Sequence, residues 1–547
     1  MSAEEPSESV QSMDTSDTTA ESAGEISKKA AKKAAKAAEK AAKKAAHQAE
    51  RAAASGQSGA AAEEEEEDPL QDRYGDKPRV QSQERTSKVW TLVSDCTADK
   101  VGETVLVRAR IHSSRKQGKM CFLTLRQRTA TVQAILFVGS ECSKQMVAYA
   151  AGIPKESIVD VEAEVVAPEE KIVSTSQQDV ELRVLRVYSV SKSTPDLPFQ
   201  LEDAARSETA YAGEEQFARV GQDTRLDNRV VDLRTPANNA IFRVQSGVCT
   251  LFREFLLGQG FTEIHTPKLI GGTSEGGANV FRLEYFGRNG CLAQSPQLYK
   301  QMAVCADLDR VFEIGPVFRA ENSFTHRHLC EFVGLDIEMA IKEHYHEVLD
   351  VLDKMFLHIF DGLNERFATE LKTIATQYPF EPLQYLRPSL ILTFPEAVKM
   401  LHEAGIEQDP LDDLSTEVER KLGQLVKAKY QTDFFMLEKY PLNARPFYTM
   451  PDPNDGNYTN SFDIFIRGEE IISGAQRIHE PEFLAQRAAE CGIDVATIQD
   501  YIDSFKYGAP PHGGCGVGLE RVVMLFCGLN NIRKTSMFPR DPKRLTP

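Results

Sequence analysis

Eight charged or imidazole side chains crowd into 20 positions of this chain: Arg319, Glu321, His326, Arg327, His328, Glu331, Asp336 and Glu338. They alternate with Phe318, Phe332, Val333 and Leu335. A sheet built here would bury one face and offer arginine, histidine and carboxylate on the other. Such a floor suits a polyphosphate, with guanidinium forks for phosphate oxygens and carboxylates for an amine or a metal. A merely solvated charged strand is the alternative that residue types leave open. Asp463 and Glu470 stand seven positions apart in SFDIFIRGEEIISGAQR, with strand formers between them, so a turn could bring both to one place. Paired carboxylates beside a phosphate-bearing substrate suggest magnesium; two exposed acids at strand ends is the plainer reading. In GCGVGLERVVML the glycines permit close backbone approach and Arg521 begins an apolar helix. There is no Walker A loop, and these glycines do not follow the dinucleotide fingerprint.

The elements that must hold these residues are of two textures. From about Thr86, the runs VLVRARIH, MCFLTLRQ, TVQAILFV, SIVDVEAEVV and VELRVLRVYSV are rich in β-branched residues and divided by turns or polar loops. Five such strands fit a small β-barrel, with an OB-fold as the leading candidate and single-stranded nucleic acid as its expected ligand. A plain barrel spacer remains the alternative on the strands alone. A polar connector then runs to about Asn228. Beyond it, helical periodicity in residues 243–257 and from Glu343 to about Gln377 mixes with strands that do not alternate one-for-one with helices. That pattern favours α+β with an antiparallel sheet over a doubly wound fold. The expected division is a disordered extension over 1–84 with a Lys/Ala helix near 28–54, an OB barrel over 85–195, a linker over 196–235, and an α+β domain over 236–547. A helical insertion is expected near 341–455.

Composition narrows the function. The chain has 547 residues and a net charge of −17, so nucleic acid would have to be met by local patches. Ten scattered cysteines without a CxxC pair read as reduced thiols of the cytosol, and the HRH and HYH runs lack the cysteine partners of a zinc site. No apolar run reaches the roughly 18–20 residues of a membrane span. The acidic start MSAEEPSES is unlike a basic targeting signal. A cytoplasmic location without membrane attachment is the expectation.

FRAEN, HRH, EF and LDIEM resemble motif 2 of the class II aminoacyl-tRNA synthetases, and GVGLERVVM resembles their motif 3. The helix ending in GFTEIHTPKLI resembles motif 1, with Pro267 as its proline. QSPQLYKQ and GGTSEGGA resemble the aspartate-specific members of the OB-fold-bearing subclass, and the layout over roughly 85–547 is similar to the eukaryotic cytoplasmic ones. Cys515 stands where glycine is more usual, without displacing Arg521 from register.

The resemblance implies activation of L-aspartate by ATP, with pyrophosphate released, and transfer of the aspartyl group to the 3′ adenosine of tRNA-Asp. It implies catalytic roles for Arg319 on the α-phosphate and Arg521 at the far phosphate end and on adenine. Phe332 would stack on the other adenine face, Glu321 would meet its amino group, and Arg327 and His328 would lie along the phosphates. Asp463 and Glu470 would hold Mg2+, and Glu470 would also touch ATP. For aspartate, Arg477 and Lys300 would take the side-chain carboxylate, and Asp336 and Glu275 the ammonium. Ser295, Gln297 and Ser473 would add hydrogen bonds, and the segment around Glu275 would close over the amino acid. Phe122 would stack an anticodon base, with Gln133 and Glu181 reading base edges. Motif 1 implies a homodimer; membership of a larger multi-synthetase complex is left open. An asparaginyl enzyme would not need Lys300, a lysyl enzyme would carry RNE in place of RAE, and a non-catalytic scaffold would be expected to lack Arg319, Arg521 or the carboxylate pair.

One feature stands apart. KKAAKKAAKAAEKAAKKAA, from Lys28, is nearly pure helix former with no large apolar residue. At 100° per residue, its eight lysines fall within an arc of about 160°. Residues 28–54 carry a net +7 in an acidic chain. ISKKAAKKAAK fits the spacing of a tRNA-binding extension in eukaryotic relatives, with Lys28, Lys32, Lys33 and Lys36 as its cations and Ala31 where leucine is usual. A solvated charged helix without function is the alternative.

Overall fold

The computed structural model describes residues 68–213, 215–271 and 280–547. Glu275 and the cations Lys28, Lys32, Lys33 and Lys36 lie outside the described residues.

The five expected barrel strands form and close. Strands β2 (Thr104–Gln117), β3 (Met120–Gln127), β4 (Ala130–Phe137), β5 (Ile158–Val166) and β6 (Glu181–Ser191) pair in the order β6-β4-β3-β2-β5, and β5 returns to β6. Period-2 alternation decides which face is inside. Val105, Val107 and Ala109 of β2, Leu123 and Leu125 of β3, and Val132 and Ala134 of β4 point into a common core. Helix α1 (Lys144–Gly152) adds Met146 and Val147, with Ser143 accepting a hydrogen bond from the Met146 amide at its start. A sixth strand, β1 (Tyr74–Asp76), pairs parallel to β6 and extends the sheet into the stretch expected to belong to the extension. After the barrel, the connector is pinned rather than loose. Buried Glu156 receives Arg126 at 2.6 Å and Arg234 at 3.1 Å, and Arg126 also donates to the Arg234 carbonyl at 3.1 Å.

The second sheet has eight strands. They are β7 (Thr262–Glu263), β11 (Arg310–Phe318), β12 (Glu331–Ala340), β13 (Leu390–Thr393), β14 (Phe434–Glu438), β15 (Ser461–Ile466), β16 (Glu469–Gln476) and β17 (His512–Gly518), in the order β13-β14-β15-β16-β17-β12-β11-β7. Its six central strands are antiparallel, as expected, and only the outer pairs β13–β14 and β11–β7 are parallel. A small sheet of β8 (Leu269–Ile270), β9 (Arg282–Tyr285) and β10 (Arg288–Leu292) stands beside it.

Helices α2 (Pro236–Gly258), α4 (His346–Arg366) and α5 (Ala368–Gln377) share one apolar core with the inner face of the large sheet. Between β10 and β11 lies α3 (Gln297–Cys305), and α7 (Leu519–Phe526) follows β17. The helical segment expected from Glu343 to about Gln377 forms two helices, divided at Phe367. The break frees the Phe367 ring to sit against α2, where a Cβ on Gly247 would lie 2.6 Å from it. The expected helical insertion also contributes two strands to the large sheet, β13 and β14. FFMLE of β14 is buried along its whole length, a short apolar run that periodicity alone cannot assign to strand or helix. Helix α6 (Thr416–Tyr430) lies in the same stretch.

Candidate active site

The outer face of the large sheet carries a cleft of about 400 Å³. Its floor is β12, β16 and β17, and its rim is the loop joining β11 to β12. Strand β17 can lie close only because it is glycine-rich: a Cβ on Gly514 would come within 2.1 Å of the Ile337 carbonyl oxygen. Of the expected residues, Ser295, Gln297, Arg319, Glu321, Arg327, His328, Phe332, Asp336, Asp463, Glu470, Ser473, Arg477 and Arg521 all line this one cleft.

At one end the arginines gather around an aromatic ring. The Arg319 guanidinium lies 5.6 Å from the centre of the half-buried Phe332 ring and 3.9 Å from Glu321. His328 turns Nδ1 to Thr325 Oγ1 at 2.6 Å and Nε2 toward Glu321 at 3.9 Å. Burial holds its pKa below the usual imidazole value. Arg521 donates to the Glu470 carbonyl at 2.9 Å, which ties the start of α7 to β16. The strand is held beside Phe332 by Glu520, which the spacing of the motif did not single out. Buried Glu520 accepts the Val333 amide through both oxygens, at 3.2 and 3.1 Å, and burial pushes its pKa up to about 7.

Midway along the cleft, the β15–β16 hairpin brings the two carboxylates together. Glu470 is raised in pKa, first by loss of solvent and then by Asp463, which marks two like charges sharing one place. Asp463 is gripped by Arg445, whose Nη1 and Nη2 each donate to one of its oxygens at 2.8 Å. Arg445 Nη1 also donates to Ser473 Oγ at 2.6 Å, and its guanidinium stacks 3.9 Å from the Tyr440 ring centre. Among the described residues no three His, Cys, Asp or Glu side chains form a metal cage. Two neighbouring carboxylates open to a cleft fit a magnesium ion, which is held by one or two carboxylates with phosphates and water completing its shell.

The other end is cationic and deeply buried. Arg477 Nε and Nη2 donate to the two oxygens of Glu338, at 2.9 and 3.2 Å, and Nη2 also reaches Gln297 Oε1 at 3.2 Å. Nη1 makes none of these contacts. Burial alone would raise Glu338, but Arg477 and Lys300 outweigh it and hold the carboxyl below its ordinary range. Lys300 is not on the cleft wall. Its ammonium lies beneath the floor, donating to Asp336 Oδ1 at 3.1 Å and to the carbonyls of Ile337 and Cys515 at 3.2 and 2.9 Å. It thereby orients Asp336, which does line the cleft. Ser295 Oγ accepts the Gln297 amide at 3.3 Å where α3 begins.

Arg445, Glu520 and Glu338 carry much of this geometry. Arg445 could not have been found from spacing, because it reaches Asp463 from an irregular loop. Glu520 directly precedes Arg521, and its place inside an apolar helix was a usable signal.

On the barrel, Phe122, Gln133 and Glu181 share the outward face of β3, β4 and β6. Gln133 is opposite Glu181 in register and donates to it at 2.5 Å, and Arg115 covers the Phe122 ring at 5.2 Å. Pro267 is exposed between β7 and β8.

This combination of a six-stranded antiparallel core, an arginine-lined nucleotide-sized cleft and a closed barrel has known relatives. A family model described as tRNA synthetases class II (D, K and N) matches residues 221–542, and one described as OB-fold nucleic acid binding domain matches 105–190. The chain belongs to the class II aminoacyl-tRNA synthetases of the D, K and N group. Within that group its similarity is to proteins named for aspartate. The human protein named Aspartate–tRNA ligase, cytoplasmic, is 59% identical over 481 residues, spanning 88% of this chain and 96% of its own length. An Arabidopsis thaliana relative, Aspartate–tRNA ligase 1, cytoplasmic, is 56% identical over 88% of this chain and 92% of its own. The structure of the aspartyl-tRNA synthetase from Entamoeba histolytica superimposes with a TM-score of 0.81 at 49% identity, covering 87% of this chain and 96% of that one. Asparaginyl-tRNA synthetase from Pyrococcus horikoshii, complexed with asparaginyl-adenylate, gives 0.73 at 28% identity, covering 85% and 100%. No helix among the described residues is long and apolar enough to cross a membrane.

Proposed function

We infer that the chain is an aspartate–tRNA ligase, joining L-aspartate to ATP and passing the aspartyl group to the 3′ adenosine of tRNA-Asp. The observation that carries this reading is the polarity of one continuous cleft. An aromatic–arginine end suits adenine and phosphates, a paired-carboxylate centre suits a divalent cation, and a buried arginine end suits a small dicarboxylic acid.

In the first step the α-carboxylate of aspartate attacks the α-phosphorus of ATP, and the α–β bridging bond breaks to release pyrophosphate. Arg319 stabilises charge gathering on the α-phosphate oxygens. Phe332 and Arg521 sandwich the adenine, Glu321 accepts from its amino group, and Arg327 and His328 meet the outer phosphates. Asp463 and Glu470 would hold Mg2+, which would supply positive charge to offset that of the phosphates. The free edge of Arg477 takes the substrate's side-chain carboxylate, Asp336 and Glu275 take its ammonium, and Lys300 acts by setting Asp336. Gln297, Ser295 and Ser473 complete the polar wall. No group on the protein need remove a proton, since the attacking carboxylate is already ionised; catalysis is by positioning and electrostatics. In the second step the ribose hydroxyl of tRNA attacks the acyl carbon, its proton passes to the phosphate of the departing AMP, and the acyl–phosphate bond breaks.

The barrel presents Phe122, Gln133 and Glu181 to an anticodon, and the cationic stripe of Lys28, Lys32, Lys33 and Lys36 lies along tRNA phosphates. The same reading takes Pro267 as part of a homodimer contact and the cytoplasm as the location; both follow the family and the names of the relatives. The domain limits proposed are a barrel beginning at β1 and a catalytic domain from 236. Charging of a tRNA-Asp transcript with labelled aspartate tests the reading, and an enzyme that folds yet leaves tRNA-Asp uncharged would overturn it.

A further inference from the structure

Helix α6 is placed where the catalytic strands alone would not require a helix. Its first turn is fixed by Ser415, whose hydroxyl accepts the Val418 amide at 3.4 Å. One turn later its backbone presses on the turn of the β15–β16 hairpin. A Cβ on Gly423 would lie 2.4 Å from the Gly468 Cα, and one on Gly468 would lie 3.1 Å from the Arg420 Cα. Contact this close needs glycine on both sides, and Gly468 also takes a positive φ of 76°.

From that seat two neighbouring side chains reach in different directions. Glu419, nearly buried, accepts from Arg327 Nη1 at 2.9 Å. Arg420 donates through Nε and Nη2 to Glu469 Oε1, at 3.2 and 2.7 Å, and Nη2 stands 2.6 Å from His326 Nε2. His326 in turn approaches Glu469 at 3.4 Å. Arg327 and His326 belong to the β11–β12 loop, and Glu469 precedes Glu470 on β16. Neither Glu419 nor Arg420 lines the cleft.

We propose that α6 is a clamp in which Glu419 and Arg420 act as positioning residues for ATP. It fastens the β11–β12 loop to the hairpin bearing Asp463 and Glu470, so that Arg327 and the carboxylate pair meet one triphosphate together. Without Glu419, the flexible Arg327 side chain must order itself when the nucleotide arrives, and that cost falls on nucleotide binding. The proposal rests on the reading that ATP phosphates lie beside Arg327.

The test compares R327A, E419A, E419Q, R420A and the double variant R327A/E419A by ATP–pyrophosphate exchange, with Tm measured in parallel. E419A is expected to raise KM for ATP about tenfold, as loss of one charge-assisted hydrogen bond would. KM for aspartate and kcat should stay within about threefold. R327A/E419A should be no worse than R327A alone, because the two act as one unit. E419Q, which keeps the volume and one acceptor but loses the charge, should raise KM for ATP by an intermediate, about threefold amount, and serves as the test if E419A does not fold, an unchanged KM then overturning the clamp. A merely structural helix would lower Tm and the active fraction while leaving both KM values alone, and that result overturns the proposal. If R327A itself leaves KM for ATP unchanged, the nucleotide placement fails. If R327A raises it and neither E419A nor R420A does, only the clamp fails.

Discussion

In the proposed reading Arg477 takes the side-chain carboxylate of aspartate, so replacing it should abolish selection of a dicarboxylic amino acid. Arg477 is 3% exposed and its guanidinium divides its donors, with Nε and Nη2 on Glu338 and Gln297 and Nη1 outside those bonds. A substrate carboxylate accepting from the free edge would gain up to two charge-assisted hydrogen bonds, each about 1.5–3 kcal/mol. Arg477→Ala therefore should lower kcat/KM for aspartate on the order of a thousandfold or more, at about 1.4 kcal/mol per factor of ten. The same change strips a fully buried carboxylate of its fork, and breaking a buried pair costs about 3–5 kcal/mol. Lys300, 3.4 Å from Glu338, offsets part of that. Arg477→Lys separates the two effects, since it keeps the charge but loses the planar fork, and should cost about 10- to 150-fold in kcat/KM with a smaller fall in Tm. The assay is aspartate-dependent ATP–pyrophosphate exchange on protein shown by its melting transition to be folded. Exchange with unchanged aspartate dependence in folded Arg477→Ala would refute the assignment.

Other consequences follow from the same geometry. Glu520 has a folded pKa near 7, above the ordinary value, so its proton favours the fold at low pH and that contribution is lost as pH rises through 7. Glu520→Gln should raise Tm relative to the parent at pH 8 and match it near pH 5, a difference worth about 3 kcal/mol; an equal offset at both pH values would contradict this. Phe122→Ala should weaken tRNA-Asp binding about tenfold or more while pyrophosphate exchange is untouched, and unaltered binding would remove the stacking role. Deleting residues 1–54 should weaken tRNA binding and flatten its dependence on salt, with adenylate formation intact.

The barrel was legible because strands such as β2, β3 and β4 alternate buried and outward residues, and the antiparallel sheet because its helices and strands do not alternate one-for-one, although β12, β14 and β15 are buried on both faces and carry no such period. β1 was not: Tyr74, Gly75 and Asp76 sit in a polar stretch and become a strand only by pairing with Val187, Tyr188 and Ser189. β13 and β14 were hidden for a related reason, since a short apolar run has no period to distinguish helix from strand. The break at Phe367 depends on Gly247, more than a hundred residues away in sequence. In the site, Arg319, Asp336, the pair Asp463 and Glu470, and Arg521 stood out through their types and spacing, whereas Ser295, Gln297, Ser473 and Arg477 were placed only by the resemblance. Arg445, Glu419 and Arg420 did not stand out, because each acts across a tertiary contact to Asp463, Arg327 or Glu469 that no local pattern encodes. Lys300 was found as a residue, but its place beneath Asp336 emerges only from the packing of α3 under β12 and β17.

Activation of aspartate in this cleft is tested by ATP–pyrophosphate exchange measured with aspartate, asparagine and lysine in parallel. Exchange is expected with aspartate, and asparagine and lysine should stay near background. Exchange driven equally by asparagine, or by lysine in place of aspartate, would contradict this expectation.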